Sequence, residues 1–138
     1  MELSRRETLG LGLGAAVLVL APFRANAAAE DAIAAFTGGA EMAEGGVALT
    51  APEIAENGNT VPIEVSAPGA AAILIVAAGN PEPGVATFNF GPLAAVQAAS
   101  TRIRLAGTQD VIAVARMADG SFARAAATVK VTIGGCGG

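Results

Sequence analysis

The segment Ala72-Ile73-Leu74-Ile75-Val76-Ala77 decides the fold. Ile73 to Val76 are apolar at every position, so neither face of this segment suits water. The run is too short for a core helix and rich in β-branched residues, which fits a strand covered on both faces. Val111 to Met117 is a second apolar strand of the same kind. Around these two the pattern changes to strict alternation, the mark of strands with one buried face. Val61, Ile63 and Val65 alternate with Pro62 and Glu64, and the proline places that strand at a sheet edge or a strand start. Val47 and Leu49 form a shorter alternating pair before Pro52. Ala86, Phe88 and Phe90 alternate with Thr87 and Asn89, and Ile103 and Leu105 face away from Arg102 and Arg104. Val129, Val131 and Ile133 alternate with Thr128, Lys130 and Thr132.

The breaks between these runs carry turn chemistry. They fall at Glu56-Asn57-Gly58-Asn59, Pro68-Gly69, Asn80 through Gly84, Gly91-Pro92 and Ala106-Gly107. Asp119-Gly120 is a tight-turn signal leading into a strand from Ser121 to Ala126. Before the strands, Ala28 to Thr37 has helical spacing, with Ile33 and Phe36 on one side and Glu30 and Asp31 in the first turn. Gly38-Gly39 ends it. Roughly seven short strands with turns between them predict an all-β, immunoglobulin-like antiparallel sandwich with a short N-terminal helix. Antibody-type hallmarks are absent, since the chain has one cysteine and no tryptophan.

Composition narrows the function. The 138 residues include no His, no Trp and no Tyr. A His-based catalytic triad or a Cys/His zinc site therefore cannot be assembled. A formal net charge of −4 argues against nucleic acid as a partner. The acids Glu30, Asp31, Glu41, Glu44, Glu53, Glu56, Glu64 and Glu82 precede every base of the domain, whereas Arg102, Arg104, Arg116, Arg124 and Lys130 all lie in the second half. Those bases are spread over several strands, which fits a solvated surface better than a steering patch.

Residues 1–27 carry the features of an export leader. Arg5-Arg6 make a basic start, and a mildly apolar stretch from Leu9 to Ala21 follows, interrupted by Gly10, Gly12 and Gly14. Ala25-Asn26-Ala27 supplies the small-x-small site that a signal peptidase needs. The stretch is shorter than the roughly 20 residues of a permanent membrane helix. Paired arginines ahead of a weakly hydrophobic run indicate the twin-arginine route and a periplasmic protein without a membrane anchor. The competing reading is a buried or membrane-anchoring N-terminal helix.

The chemistry is concentrated at the other end, in Gly134-Gly135-Cys136-Gly137-Gly138. The strand pattern stops at Ile133, so residues 134–138 are expected to project from a domain spanning 28–133. Gly134, Gly135, Gly137 and Gly138 add no side-chain bulk and make a thin, pliable arm. A thiol on such an arm can enter a channel too narrow for the domain. No His, Lys or Arg lies within five residues of Cys136, and the carboxylate of Gly138 slightly disfavours the thiolate. That is poor equipment for an enzyme and sufficient for a covalent carrier whose partners do the catalysis. Two other readings compete: an inert buried thiol, and a structural or adhesion sandwich dimerised through Cys136. Glycines at a chain end cannot bury the sulfur, which weighs against the first.

Three internal blocks and the tail resemble the SoxY family of sulfur carriers in periplasmic thiosulfate oxidation. The blocks are Pro52-Glu53-Ile54-Ala55-Glu56-Asn57-Gly58-Asn59-Thr60-Val61-Pro62, Gly79-Asn80-Pro81 through Pro83-Gly84-Val85-Ala86, and Ser100-Thr101-Arg102-Ile103-Arg104-Leu105-Ala106-Gly107-Thr108-Gln109. Val129-Lys130-Val131-Thr132-Ile133 then leads into the Gly-Gly-Cys-Gly-Gly end. The resemblance implies a non-catalytic subunit without a cofactor that holds sulfur intermediates covalently on Cys136. It also implies a heterodimer with a SoxZ-like subunit. Its other implied partners are a haem-containing thiosulfate-coupling enzyme, a two-metal sulfate-releasing hydrolase and a sulfane dehydrogenase. Two local departures from the family pattern stand out: a short, alanine-rich segment from Ala67 to Ala72, and Ala123 where a larger residue is common.

Overall fold

The computed structural model describes residues 27–134. The leader, with Arg5 and Arg6, and the end residues Gly135, Cys136, Gly137 and Gly138 lie outside the described residues. Helix α1 covers 27–37. Nine strands follow in chain order: β1 (Met42–Glu44), β2 (Ala48–Thr50), β3 (Ile54–Ala55), β4 (Val61–Ser66), β5 (Ala70–Ala77), β6 (Gly84–Asn89), β7 (Ala98–Ile103), β8 (Gln109–Met117) and β9 (Phe122–Val131). One sheet has the order β1-β9-β8-β5-β6, with β3 also on β9; the other has the order β2-β4-β7. The two sheets face each other as an immunoglobulin-like sandwich.

The two apolar runs, β5 and β8, are central neighbours, paired antiparallel from Ile73↔Ala115 to Ala77↔Val111. Each buries both faces, as their sequences predict. Ile73, Ile75, Val111, Ala113 and Ala115 point into the core between the sheets, against Val61, Ile63 and Val65 of β4 and Ile103 and Leu105. Ile75 lies opposite Ala113 and Ile73 opposite Ala115, so a large residue faces a small one at both pairs on the core side of the sheet. Leu74, Val76, Ile112 and Val114 point the other way, into a second cluster completed by Ala29 and Ile33 of α1. The helix is what keeps the outer face of β5 and β8 from water. Phe36 joins it edge-on to Phe122, with ring centroids 6.0 Å apart, and the Arg116 guanidinium lies 5.4 Å from the Phe36 ring centre. Gly38 and Gly39 end the helix at φ of 69° and 85°, the left-handed region where glycine is favoured.

The fold departs from the sequence reading in its strand inventory. Ser121 to Ala126 and Val129 to Ile133 are not two strands but parts of one, β9, which ends at Val131. Ile133 is 68% exposed rather than buried on an alternating face. The short strands β1 and β3 were not expected, and both pair parallel with β9 in an otherwise antiparallel arrangement. Pro62 sits second in β4. The last β2 pair is Thr50↔Glu64, so at Pro62 the strand has β7 alone beside it, which is locally the edge position that a proline tolerates. Both departures from the family pattern have a local cause. Ala67 to Ala70 forms the tight β4–β5 turn, with the Ala70 N–H donating to the Ala67 carbonyl and Gly69 at φ 84°. Ala123 is buried beneath Gly46, where even a Cβ on the glycine would lie 3.4 Å from the Ala123 Cβ.

Candidate functional site at the exit of the C-terminal segment

Beyond Val131 the chain is held by backbone hydrogen bonds to the end of β3 and the segment after it. The Thr132 N–H donates to the Ala55 carbonyl over 3.1 Å, and the Gly58 N–H donates to the Ile133 carbonyl over 2.8 Å. Gly58 also accepts, from the Leu105 N–H at 2.7 Å, so one residue clasps the chain end to the loop after β7. Side chains reinforce the clasp. The Thr132 hydroxyl donates to the Glu56 carbonyl at 3.0 Å, and Thr108 Oγ1 accepts from the Val131 N–H at 2.9 Å.

Gly134 lies hard against that same loop. A Cβ at this position would stand 2.5 Å from the Ala106 carbonyl oxygen, closer than real contacts allow. Ala106 is in turn fixed by Asn80, whose Oδ1 accepts from the Ala106 N–H at 2.9 Å while its Nδ2 donates to the Arg104 carbonyl at 2.8 Å. Gln109 completes the set. Its Nε2 donates to Asn80 Oδ1 and to the Gly107 carbonyl, and its Oε1 accepts from the Gly79 N–H. Gln109 is only 8% exposed, so this full pairing offsets the cost of burying its amide.

The structure thus gathers at one place the three blocks singled out in the sequence. Gly58 comes from the first, Gly79 and Asn80 from the second, and Arg104 to Gln109 from the third. Of the predicted arm, Gly134 is placed at their meeting point; Gly135, Cys136, Gly137 and Gly138 are outside the described residues. Asn80 and Ala106 fall in expected turns and Gln109 between a turn and an expected strand, and none of the three is a site candidate from sequence. No pattern in the sequence marks them, since the burial of Gln109 follows only from the fold.

Other surfaces offer less. A groove of about 560 Å³ runs over β4 and β7 between Pro52, Pro62 and Thr101. Its polar groups are largely engaged, Arg102 with Thr60 and Ser100 with Glu64. Among the described residues there is no cluster of three or more potential metal ligands, and no helix long and apolar enough to cross a membrane.

These features define an immunoglobulin-like sandwich whose sequence blocks converge on the exit of its C-terminal segment rather than on an enclosed cleft. The family described as sulfur oxidation protein SoxY matches the chain over residues 33–136. The sulfur carrier protein SoxY from Chlorobium limicola f thiosulfatophilum is similar at 40% identity and a TM-score of 0.66, covering 75% of this chain and 96% of that one. A superoxide reductase (neelaredoxin) from Ignicoccus hospitalis has a TM-score of 0.55 at 17% identity, covering 63% and 80% of the two chains, a likeness of fold alone. Among curated protein sequences none matches significantly. The chain belongs to the SoxY family and is a non-catalytic sulfur carrier protein of sulfur oxidation. That membership favours the carrier reading over the adhesion or structural sandwich.

Proposed function

We propose that Cys136 is the atom-bearing site of this carrier and that the sulfur of thiosulfate travels on it between partner enzymes. The observation that supports this is the juxtaposition of the chain's one cysteine with the clasped exit, two residues beyond Gly134. Loading joins the thiol to thiosulfate: a sulfur–sulfur bond forms, the thiol proton leaves, and two electrons pass to a haem-containing coupling enzyme. The product is a cysteine S-thiosulfonate. Water then cleaves its terminal sulfonate at a two-metal hydrolase, releasing sulfate and leaving a persulfide on Cys136. A sulfane dehydrogenase adds three oxygens from water to the outer sulfur and withdraws six electrons. A second hydrolysis releases sulfate and regenerates the thiol.

The protein's part is to keep each intermediate covalently attached while presenting it to successive sites. Its own residues need not lower the thiol's proton affinity, because the activating groups can belong to the enzymes. A SoxZ-like subunit is the proposed heterodimer partner. Residues 1–27, with Arg5-Arg6 and Ala25-Asn26-Ala27, are the proposed twin-arginine leader, which places the carrier in the periplasm.

Intact-mass measurement tests the central point. Incubation with thiosulfate and the coupling enzyme is expected to add the mass of one thiosulfate to the native chain and nothing to Cys136→Ser. An adduct that persists on Cys136→Ser would remove Cys136 from the cycle.

A further inference from the structure

We infer that Asn80 and Gln109 are positioning residues of the carrier, holding the 104–107 loop as a seat for Gly134 that fixes where the cysteine-bearing end leaves the domain. The inference rests on the carrier reading and adds to it a fixed origin for the arm. Four glycines around a cysteine suggest slack throughout. Gly134 has a different reason to be glycine. It packs against a backbone oxygen, and a Cβ 2.5 Å from that oxygen could be accommodated only by moving the chain end or the loop.

The loop is poorly placed to move. The Ala106 N–H and the Arg104 carbonyl are both held by Asn80, the Gly107 carbonyl by Gln109, and the Leu105 N–H by Gly58. Gln109 and Asn80 also bond each other at 2.9 Å across 29 residues of sequence. A loop whose backbone is satisfied at four successive residues, partly from a buried side chain, is a rigid stop. The tether is therefore counted from Gly134. Two virtual bonds of 3.80 Å keep the Cys136 Cα within about 7.6 Å of the Gly134 Cα. An enzyme taking the thiol must bring its entrance to this rim, so the direction set by the seat governs how often the sulfur meets that entrance. Misplacement by an ångström or so is enough to matter at a reacting centre.

Two rates on the whole chain separate this from a freely slack arm. One is kcat/KM for the carrier as substrate of the thiosulfate-coupling enzyme; the other is reaction of the thiol with a small aromatic disulfide. Gly134→Ala and Asn80→Ala are expected to lower the first about tenfold or more, chiefly through KM, with the second unchanged within about twofold. Gly135→Ala, which adds the same methyl to the arm one residue beyond the seat, is expected to lower the first less than Gly134→Ala does and to leave the second unchanged within about twofold. Because Asn80 and Gly134 act through one contact, the double variant is expected to lose little more than either single change. Equal effects of Gly134→Ala and Gly135→Ala, or losses that multiply in the double variant, would overturn the seat. Should Asn80→Ala fold poorly, the Gly134–Gly135 comparison still decides. A nitroxide on Cys136 gives an independent reading. Its broadening of the Gly58, Leu105 and Gly107 amide signals is expected to redistribute in Gly134→Ala, and an unchanged pattern counts against the seat. A native chain that takes up no thiosulfate mass would overturn the carrier reading itself; normal loading with no difference between variants would overturn only the seat.

Discussion

Ile75 is fully buried between the sheets, with Ala113 as its cross-strand neighbour on β8. An alanine on that side offers little to fill a void, so truncation there leaves a cavity rather than a collapsed core. Ile75→Ala is expected to cost about 2–5 kcal/mol, read from urea unfolding midpoints at constant m-value. Asp119 presents the opposite situation, a fully exposed residue with a local electrostatic role. It accepts hydrogen bonds at Oδ1 from the Ser121 hydroxyl at 2.6 Å and from the Ser121 N–H at 2.9 Å, closing the β8–β9 hairpin. The hydroxyl bond first, then the backbone bond, holds its carboxyl below the ordinary aspartate value. A depressed native value means the carboxylate stabilises the fold above the unfolded value near 3.9, and that contribution fades as pH falls through the native value. Ser121→Ala is expected to move the Asp119 titration upward toward the ordinary value, followed by carboxyl NMR. An unmoved midpoint would remove the hydroxyl as its cause.

Helix α1 draws its stability from the sheet beneath it. It has three turns, a length at which an isolated helix is marginal in water, and its contacts are Ala29, Ile33 and Phe36 on Leu74, Val76, Ile112 and Val114. The Arg124–Glu30 pair at 3.8 Å joins a half-buried arginine to an exposed glutamate and adds little. Phe36→Ala removes the edge contact with Phe122 and the platform under Arg116, and is expected to cost about 1–3 kcal/mol. Amide exchange should then accelerate in residues 29–37 before it does in β5 and β8; uniform acceleration would mean the helix is not a separable unit. This scale also shows what the sequence made legible. The doubly apolar β5 and β8, the helix and its glycine stop, and the alternation of β4 and β6 are periodic over enough residues to be read. Strands β1 and β3 have three and two residues, too few to display a period, and they exist because β9 offers an unpaired edge. Ser121 to Ala126 and Val129 to Ile133 read as two strands because alanines blur the alternation in the middle of β9.

At the scale of the whole molecule the candidate site was legible in part. The Gly-Gly-Cys-Gly-Gly end is proposed as the carrier segment from five consecutive residues, of which the structure describes Gly134. The exit could not be read, because Asn80 and Gln109 meet through folding alone, and polar residues in turns look the same whether they face water or each other. Gly134 was read as slack for a related reason: a glycine required by a close approach has the same letter as one required for pliancy. The domain and its cargo chemistry are also separable. Among the described residues the two buried clusters draw on residues 29 to 131, and Cys136 lies five positions beyond β9 in the sequence. Cys136→Ser is therefore expected to unfold at the same temperature as the native chain within about 1 °C, since ΔTm follows the stability lost. A marked drop would mean that the sulfur has a packing role.

The strand that leads to the exit is flanked by β8 along one side and by β1 and β3 on the other. In the proposed cycle, a pull on the C-terminal segment loads β9 along its length. Rows of backbone hydrogen bonds then resist together, sliding in shear, where a terminal edge strand would peel one bond at a time. The end of β9 is fastened like a rivet, so a pull on it is shared by the strands on either side.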